Sequence, residues 1–150
     1  MSQSLTRLIV HAIFSTKNRE PMLPPEIRSE LYAYMGGILK SLGCVPLAIN
    51  GTHDHVHLLF ILSKTITLAK VFEEIKGTSS QWIKTKPGMS KTFAWQGGYG
   101  AFSVSESMRQ KVNDYIASQE EHHRALSFKE ELIALFKKHH IEYDEKYLWT

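Results

Sequence analysis

The run His53-Asp54-His55-Val56-His57-Leu58-Leu59-Phe60-Ile61-Leu62 leaves this chain few folds to choose from. Residues i and i+2 of a β-strand share a face. His55 and His57 therefore present two imidazoles side by side, while Val56, Leu58, Phe60 and Leu62 line the other face. A strand with one unbroken apolar face must pack against something, and the histidines are not needed to fill that core. With eight histidines in the chain an H-x-H triplet also arises by chance. Two readings therefore stand, a two-pronged metal clamp on a rigid strand or a pair of ordinary strand histidines.

The rest of the pattern builds a sheet around this strand. From Leu5 to Thr16, Leu8, Val10, Ala12 and Phe14 alternate with Arg7, Ile9, His11 and Ile13, which suits a first strand buried on both faces and hence central. Pro24-Pro25 opens a helix with Ile27, Leu31, Met35, Ile38 and Leu42 at helical spacing, ended by Gly43. Cys44 to Asn50 reads as a second strand. Asn50-Gly51 is a hairpin turn signal that sets it antiparallel to the histidine strand. A second helix spans about Thr67 to Thr85, with Leu68, Val71, Phe72, Ile75 and Trp82 as its buried stripe and Lys86-Pro87-Gly88 as its stop. The glycine- and aromatic-rich segment 92–102 suits a fourth strand interrupted by a turn. The expected fold is α+β, a ferredoxin-like (RRM-like) β-α-β-β-α-β sandwich with both helices on one face.

The second sheet face then needs a cover. Ser103-x-x-Glu106 is a capping-box signature, with Ser105 a rival cap, and it opens an added helix through Met108, Val112, Tyr115, Ile116 and Gln119. Ser127-x-x-Glu130 starts a last helix with Phe128, Leu132, Leu135 and Phe136 on its apolar side. The aromatic tail 141–149 is expected to dock on the body or on a second subunit.

Composition excludes several classes. The 150 residues, 43% hydrophobic, suffice for one substantial core, so a single domain over 1–150 is expected. A net charge of +3 does not coat nucleic acid by charge alone, although it permits a phosphate-bearing partner. The single Cys44 rules out a disulfide framework and a cysteine-only metal site, in keeping with a reducing cytoplasm. No leader pattern and no membrane-length apolar run is present, so the expectation is a soluble, cytoplasmic protein.

Two histidines are too few for structural zinc, and no other Cys/His cluster is spaced to complete such a site. Paired imidazoles with open positions suit instead a divalent ion that also holds a phosphate oxygen, as Mg²⁺ or Mn²⁺ does. The favoured attacking group is Tyr115, one helical turn from Gln119, whose amide oxygen could be a third ligand. A phenol with an ordinary pKa of about 10 needs assistance to attack. The alternative for Tyr115 is a half-buried aromatic on an amphipathic helix. His53 and Asp54 are candidates for orienting the ligand pair. Lys17, Arg19 and Lys76 are candidate nucleic-acid contacts, although the ordinary reading of such cations is a solvated face. Tyr99, between Gly98 and Gly100, could stack on an unpaired base. His11 reads as a strand histidine rather than a ligand, and His122-His123 and His139-His140 as solvated helix ends.

Together, the histidine strand with His53-Asp54, the stretch Trp95-Gln96-Gly97-Gly98-Tyr99-Gly100-Ala101-Phe102-Ser103-Val104-Ser105 and Val112-Asn113-Asp114-Tyr115-Ile116-Ala117-Ser118-Gln119 resemble the small HUH tyrosine transposases of bacterial insertion sequences, the TnpA type acting on single-stranded DNA. Val10 to Lys17 and Glu120-Glu121-His122-His123 are similar too, so the resemblance spans nearly the whole chain. It implies homodimers that bind imperfect hairpins at transposon ends, with the tyrosine helix able to dock on its own subunit or on its partner. Carried over by position, it also implies His55, His57 and Gln119 as metal ligands. Tyr115 would be the nucleophile that forms a 5′-phosphotyrosine and frees a 3′-hydroxyl. Gly97 departs from the pattern, because relatives often have a basic residue after Trp-Gln. Two rivals are a catalytically silent or domesticated DNA/RNA hairpin-binding regulator, and a metal hydrolase that activates water.

Overall fold

The computed structural model describes residues 2–121 and 126–148. Strand β1 (Ile9–Ser15) leads to helix α1 (Pro25–Ser41), then to strands β2 (Val45–Gly51) and β3 (His55–Ile61), helix α2 (Leu68–Lys84) and strand β4 (Gly100–Val104). Helices α3 (Arg109–Ala117), α4 (Phe128–Lys138) and the single turn α5 (Glu145–Leu148) follow. The sheet order is β2-β3-β1-β4 with every neighbouring pair antiparallel, so the expected β-α-β-β-α-β order is present with β1 in the interior.

Alternation along the central strands sorts residues into two layers. Ala12 and Phe14 of β1 and Val56, Leu58 and Phe60 of β3 face α1 and α2. There they meet Ile27, Leu31, Met35 and Leu39 of α1 and Val71, Phe72, Ile75 and Ile83 of α2. The alternate residues Ile9 and Ile13 of β1, Leu59 of β3 and Phe102 of β4 face the other way. Ile116 of α3 and Phe128, Leu132 and Phe136 of α4 cover them. Pro25 starts α1 where no N–H is needed, and the hydroxyls of Thr67 and Ser127 cap α2 and α4 by accepting from Lys70 N and Glu130 N.

Several local expectations are corrected. Pairing of β2 with β3 continues through Gly51 opposite Val56, so the hairpin turns at Thr52-His53-Asp54 instead of at Asn50-Gly51. Gly51 is required for another reason: a Cβ there would lie 2.2 Å from the His55 carbonyl oxygen. Ser103 belongs to β4, and Ser105 precedes a 3₁₀ turn (Glu106–Met108) without a capping bond, so the helix begins only at Arg109. That helix ends at Ala117, and Ser118 breaks it before Gln119. The fourth strand is limited to 100–104, with Trp95 joined to Thr16 by a lone bridge. The tail docks on the body, where Gln96 Nε2 donates to Leu148 O and Leu148 packs beside Phe128, Leu132 and Phe136. No helix among the described residues is long and apolar enough to cross a membrane.

Candidate active site

His55 and His57 leave the same side of β3, and both are fully buried under α3 and α4. Each ring is held by its Nδ1. His55 Nδ1 lies 2.8 Å from Asp54 Oδ1 and 2.9 Å from Thr52 Oγ1. An ionised carboxylate only accepts, so His55 Nδ1 donates to Asp54, and in the neutral ring Nε2 keeps the lone pair. His57 Nδ1 lies 2.8 Å from His11 Nε2, and the two rings are stacked. Both Nε2 atoms turn toward the space between the sheet and the covering helices.

Three further side chains converge there. Glu131 of α4, buried to 1% exposure, places Oε1 3.0 Å from His57 Nε2 and 3.5 Å from His55 Nε2. The Tyr115 hydroxyl of α3 donates to Glu131 Oε2. Gln119 is fully buried, with Oε1 3.3 Å from His55 Nε2 and Nε2 3.4 Å from Tyr115 O. One ligand atom each from His55, His57 and Glu131 fit within 4.8 Å of one another, the arrangement of a small-ion site.

Burial and neighbours set the charges. Burial opposes protonation of His55, but hydrogen bonds to Asp54 and Glu131 prevail and raise its pKa. Asp54 is lowered: its partial burial works the other way, and the bond and charge of His55 outweigh it. Burial, aided by His57, drops His11 to about 3, so His11 is a neutral imidazole that helps to orient His57. Burial and the Glu131 charge raise Tyr115, which leaves its phenol protonated in this arrangement.

The other sequence candidates lie farther out. His53 is exposed, with Nε2 3.7 Å from Asp54 Oδ2. Lys17 and Arg19 sit on the 3₁₀ turn after β1, with Lys17 exposed. Lys76 turns inward: Nζ donates to Gln96 O at 2.6 Å and Gly98 O at 2.7 Å, and burial lowers it to about 8. Tyr99, 39% exposed, stacks on Phe72 with centroids 3.6 Å apart. His139 is not a plain solvated helix end, because its ring stacks on Phe102 at 4.5 Å. His122 and His123 lie outside the described residues. Beside the cluster a cleft of about 650 Å³ runs between α3 and α4, bounded by His11, Phe102, Met108, Tyr115, Glu131 and His139.

Sequence reasoning missed Glu131 altogether and did not see what His11 does. Glu131 was detectable as a carboxylate inside the apolar stripe of α4, between Phe128 and Leu135, where a charge has no place without partners. His11 shares its face with Ile9 and Ile13, but its approach to His57 depends on a strand register that puts Ile13 opposite His57.

The sheet thus sets two buried imidazoles beneath a helix-borne phenol, with all three side chains reaching one carboxylate. The description "Transposase IS200 like" matches residues 4–119, and the chain belongs to that transposase family, whose work is DNA transposition. It is 26% identical over 118 residues to the ISDra2 transposase TnpA of Deinococcus radiodurans, across 75% of this chain and 84% of that protein. Two solved structures share its fold. One is a transposase of Deinococcus radiodurans (24% identity, TM-score 0.61, 79% of this chain and 98% of that one). The other is the REP-associated tyrosine transposase bound to a REP hairpin (14% identity, TM-score 0.56, 79% and 72%).

Proposed function

We propose that the protein cleaves and rejoins single-stranded DNA at hairpin-marked transposon ends, with Tyr115 as nucleophile and a divalent ion, Mg²⁺ or Mn²⁺, at His55, His57 and Gln119. One observation carries the reading: within one chain, the Tyr115 hydroxyl and both imidazoles contact the same buried carboxylate, Glu131. The donors fit such an ion, since imidazole nitrogen and amide oxygen are ligands that Mn²⁺ and Mg²⁺ accept and no thiolate is among them. When bound, the ion would polarise the phosphodiester.

The chain's own groups would then do the following. Asp54 and His11 hold the two rings in register, and α3 holds the phenol beside them. The phenolic oxygen forms a bond to phosphorus while the bond from phosphorus to the 3′ oxygen breaks. The phenolic proton ends on that oxygen, leaving a 5′-phosphotyrosine and a 3′-hydroxyl. Attack by a 3′-hydroxyl reverses the step, so rejoining needs no external energy source. A hairpin is the partner that fits this reading, since one of the solved structures of like fold is described as bound to a REP hairpin. A homodimer would bring two transposon ends together.

The test is denaturing electrophoresis of the protein with its flanking single strands and Mn²⁺, followed by mapping of the labelled residue. Tyr115→Phe is expected to abolish the covalent adduct and leave hairpin binding in place. An adduct that survives Tyr115→Phe but not Tyr99→Phe overturns the assignment. Hairpin binding with no cleavage under any divalent ion supports the silent regulator instead.

A further inference from the structure

We infer that Glu131, on a helix beyond the segment that the family description matches, is a protein ligand of the divalent ion gripped by His55 and His57, so that the ion fastens α4 across the imidazole face. The inference rests on the metal-dependent reading above, whose ligands are His55, His57 and Gln119, and adds Glu131 to them. The matched segment ends at residue 119, whereas α4 spans Phe128–Lys138.

Three observations point to it. Glu131 is the one carboxylate among the buried polar residues described, and it arrives on the apolar stripe of α4 between Phe128, Leu132 and Leu135. Burying a carboxylate costs several kcal/mol even when it is paired, so a pairing that served only stability would be a poor use of a core position. Second, the two Nε2 atoms converge on a single oxygen of Glu131, at 3.0 and 3.5 Å, while Asp54 and His11 hold the opposite ring nitrogens. Metal-binding histidines have this habit, one nitrogen steadied from behind and the other aimed at a shared point. Third, two neutral imidazoles and an amide bring no charge to balance a divalent cation, and Glu131 supplies a negative one. Its two oxygens also divide the work, Oε1 toward the imidazoles and Oε2 toward the Tyr115 hydroxyl. Ion and nucleophile are thereby tied to one side chain of the same chain.

Two measurements test this without relying on turnover. Mn²⁺ is titrated into the full chain and into Glu131→Gln by calorimetry, with bound Mn²⁺ counted by electron paramagnetic resonance. Glu131→Gln should weaken binding by more than about 10-fold, the least that losing even an outer partner of a metal ligand costs. Wild-type affinity in a folded Glu131→Gln overturns the inference. Should that variant not fold, hydrogen exchange of the unaltered protein with and without Mn²⁺ decides. Slowed exchange in both β3 and α4 supports the inference, and slowed exchange in β3 without α4 overturns it. Absence of any covalent adduct together with Glu131-dependent Mn²⁺ binding would sink the transposase chemistry and leave this ligand standing, so the two failures are distinguishable.

Discussion

The two faces of the sheet are made from the same strands and do opposite work. Under α1 and α2 every central position is apolar: Ala12 and Phe14 from β1, Val56, Leu58 and Phe60 from β3. Under α3 and α4 the intervening positions carry His11, His55 and His57 among Ile9, Ile13 and Leu59, together with Gln119 and Glu131 from the cover. Period-two alternation lets one strand serve both environments, a close-packed core on one side and a hydrogen-bonded polar cluster on the other. The apolar face thus anchors the backbone to which the imidazoles are attached. Side-chain chemistry on the second face can change without disturbing that anchor.

Variants on either face can break this division. The largest effect is expected from Tyr115→Phe, which should eliminate the covalent adduct while lowering stability by about 1.5–3 kcal/mol, the worth of one hydrogen bond to a charged group. Adduct gels and urea unfolding read the two quantities separately. On the closed face Phe60→Ala should do the reverse, costing about 3–5 kcal/mol in urea unfolding. The variant molecules that remain folded should still form adduct. Equal damage to both properties from either variant would mean that the faces are not separable.

Gly51 sharpens the comparison at the edge between them. Gly51→Ala drives a Cβ into the backbone of His55, and should cost about 1–3 kcal/mol while also weakening Mn²⁺ binding, since the ring it displaces belongs to the cluster. A stability loss with unchanged Mn²⁺ affinity would show that His55 is held by Asp54 rather than by the hairpin.

The smallest effect concerns Lys76, which lies under the aromatic loop on the closed side, 5.5 Å from the Phe14 ring centre. Burial lowers it from 10.5 to about 8, so between those values the unfolded chain binds more protons than the folded one. Stability should therefore rise with pH across that window, and the penalty for the buried charge is fully present below it. Lys76→Met should flatten the rise. Parallel unfolding free energies for the two proteins at both ends of the window would contradict it.

Particular residues show how far local patterns reach. The histidine strand was legible because its alternation is confined to neighbours, and α2 because Thr67 caps a helical stripe. Ser127 was legible for the same reason. The Asn50-Gly51 turn was misplaced because Gly51 answers to a close approach of backbone across the hairpin, which a dipeptide signal does not encode. The helix through Tyr115 was expected to include Gln119. The helix breaks at Ser118, just after Ile116 O and Ala117 O accept from Asn50 Nδ2 of β2, a contact between distant segments that helical spacing does not encode. His139 was placed in solvent because the ring of Phe102, on which it stacks, belongs to a different element.

By itself the sequence determined the alternation that puts His55 and His57 on one side of a strand, the helical stripes that cover the sheet and the phenol on the later helix. These are properties of residues a few positions apart, governed by strand and helix periods. Only the tertiary structure decided that His11 braces His57 and that Glu131 enters the cluster. Both depend on strand register and on how α4 settles over the sheet. Such approaches between distant segments are set by the packing of whole faces, and no short stretch of residues specifies them.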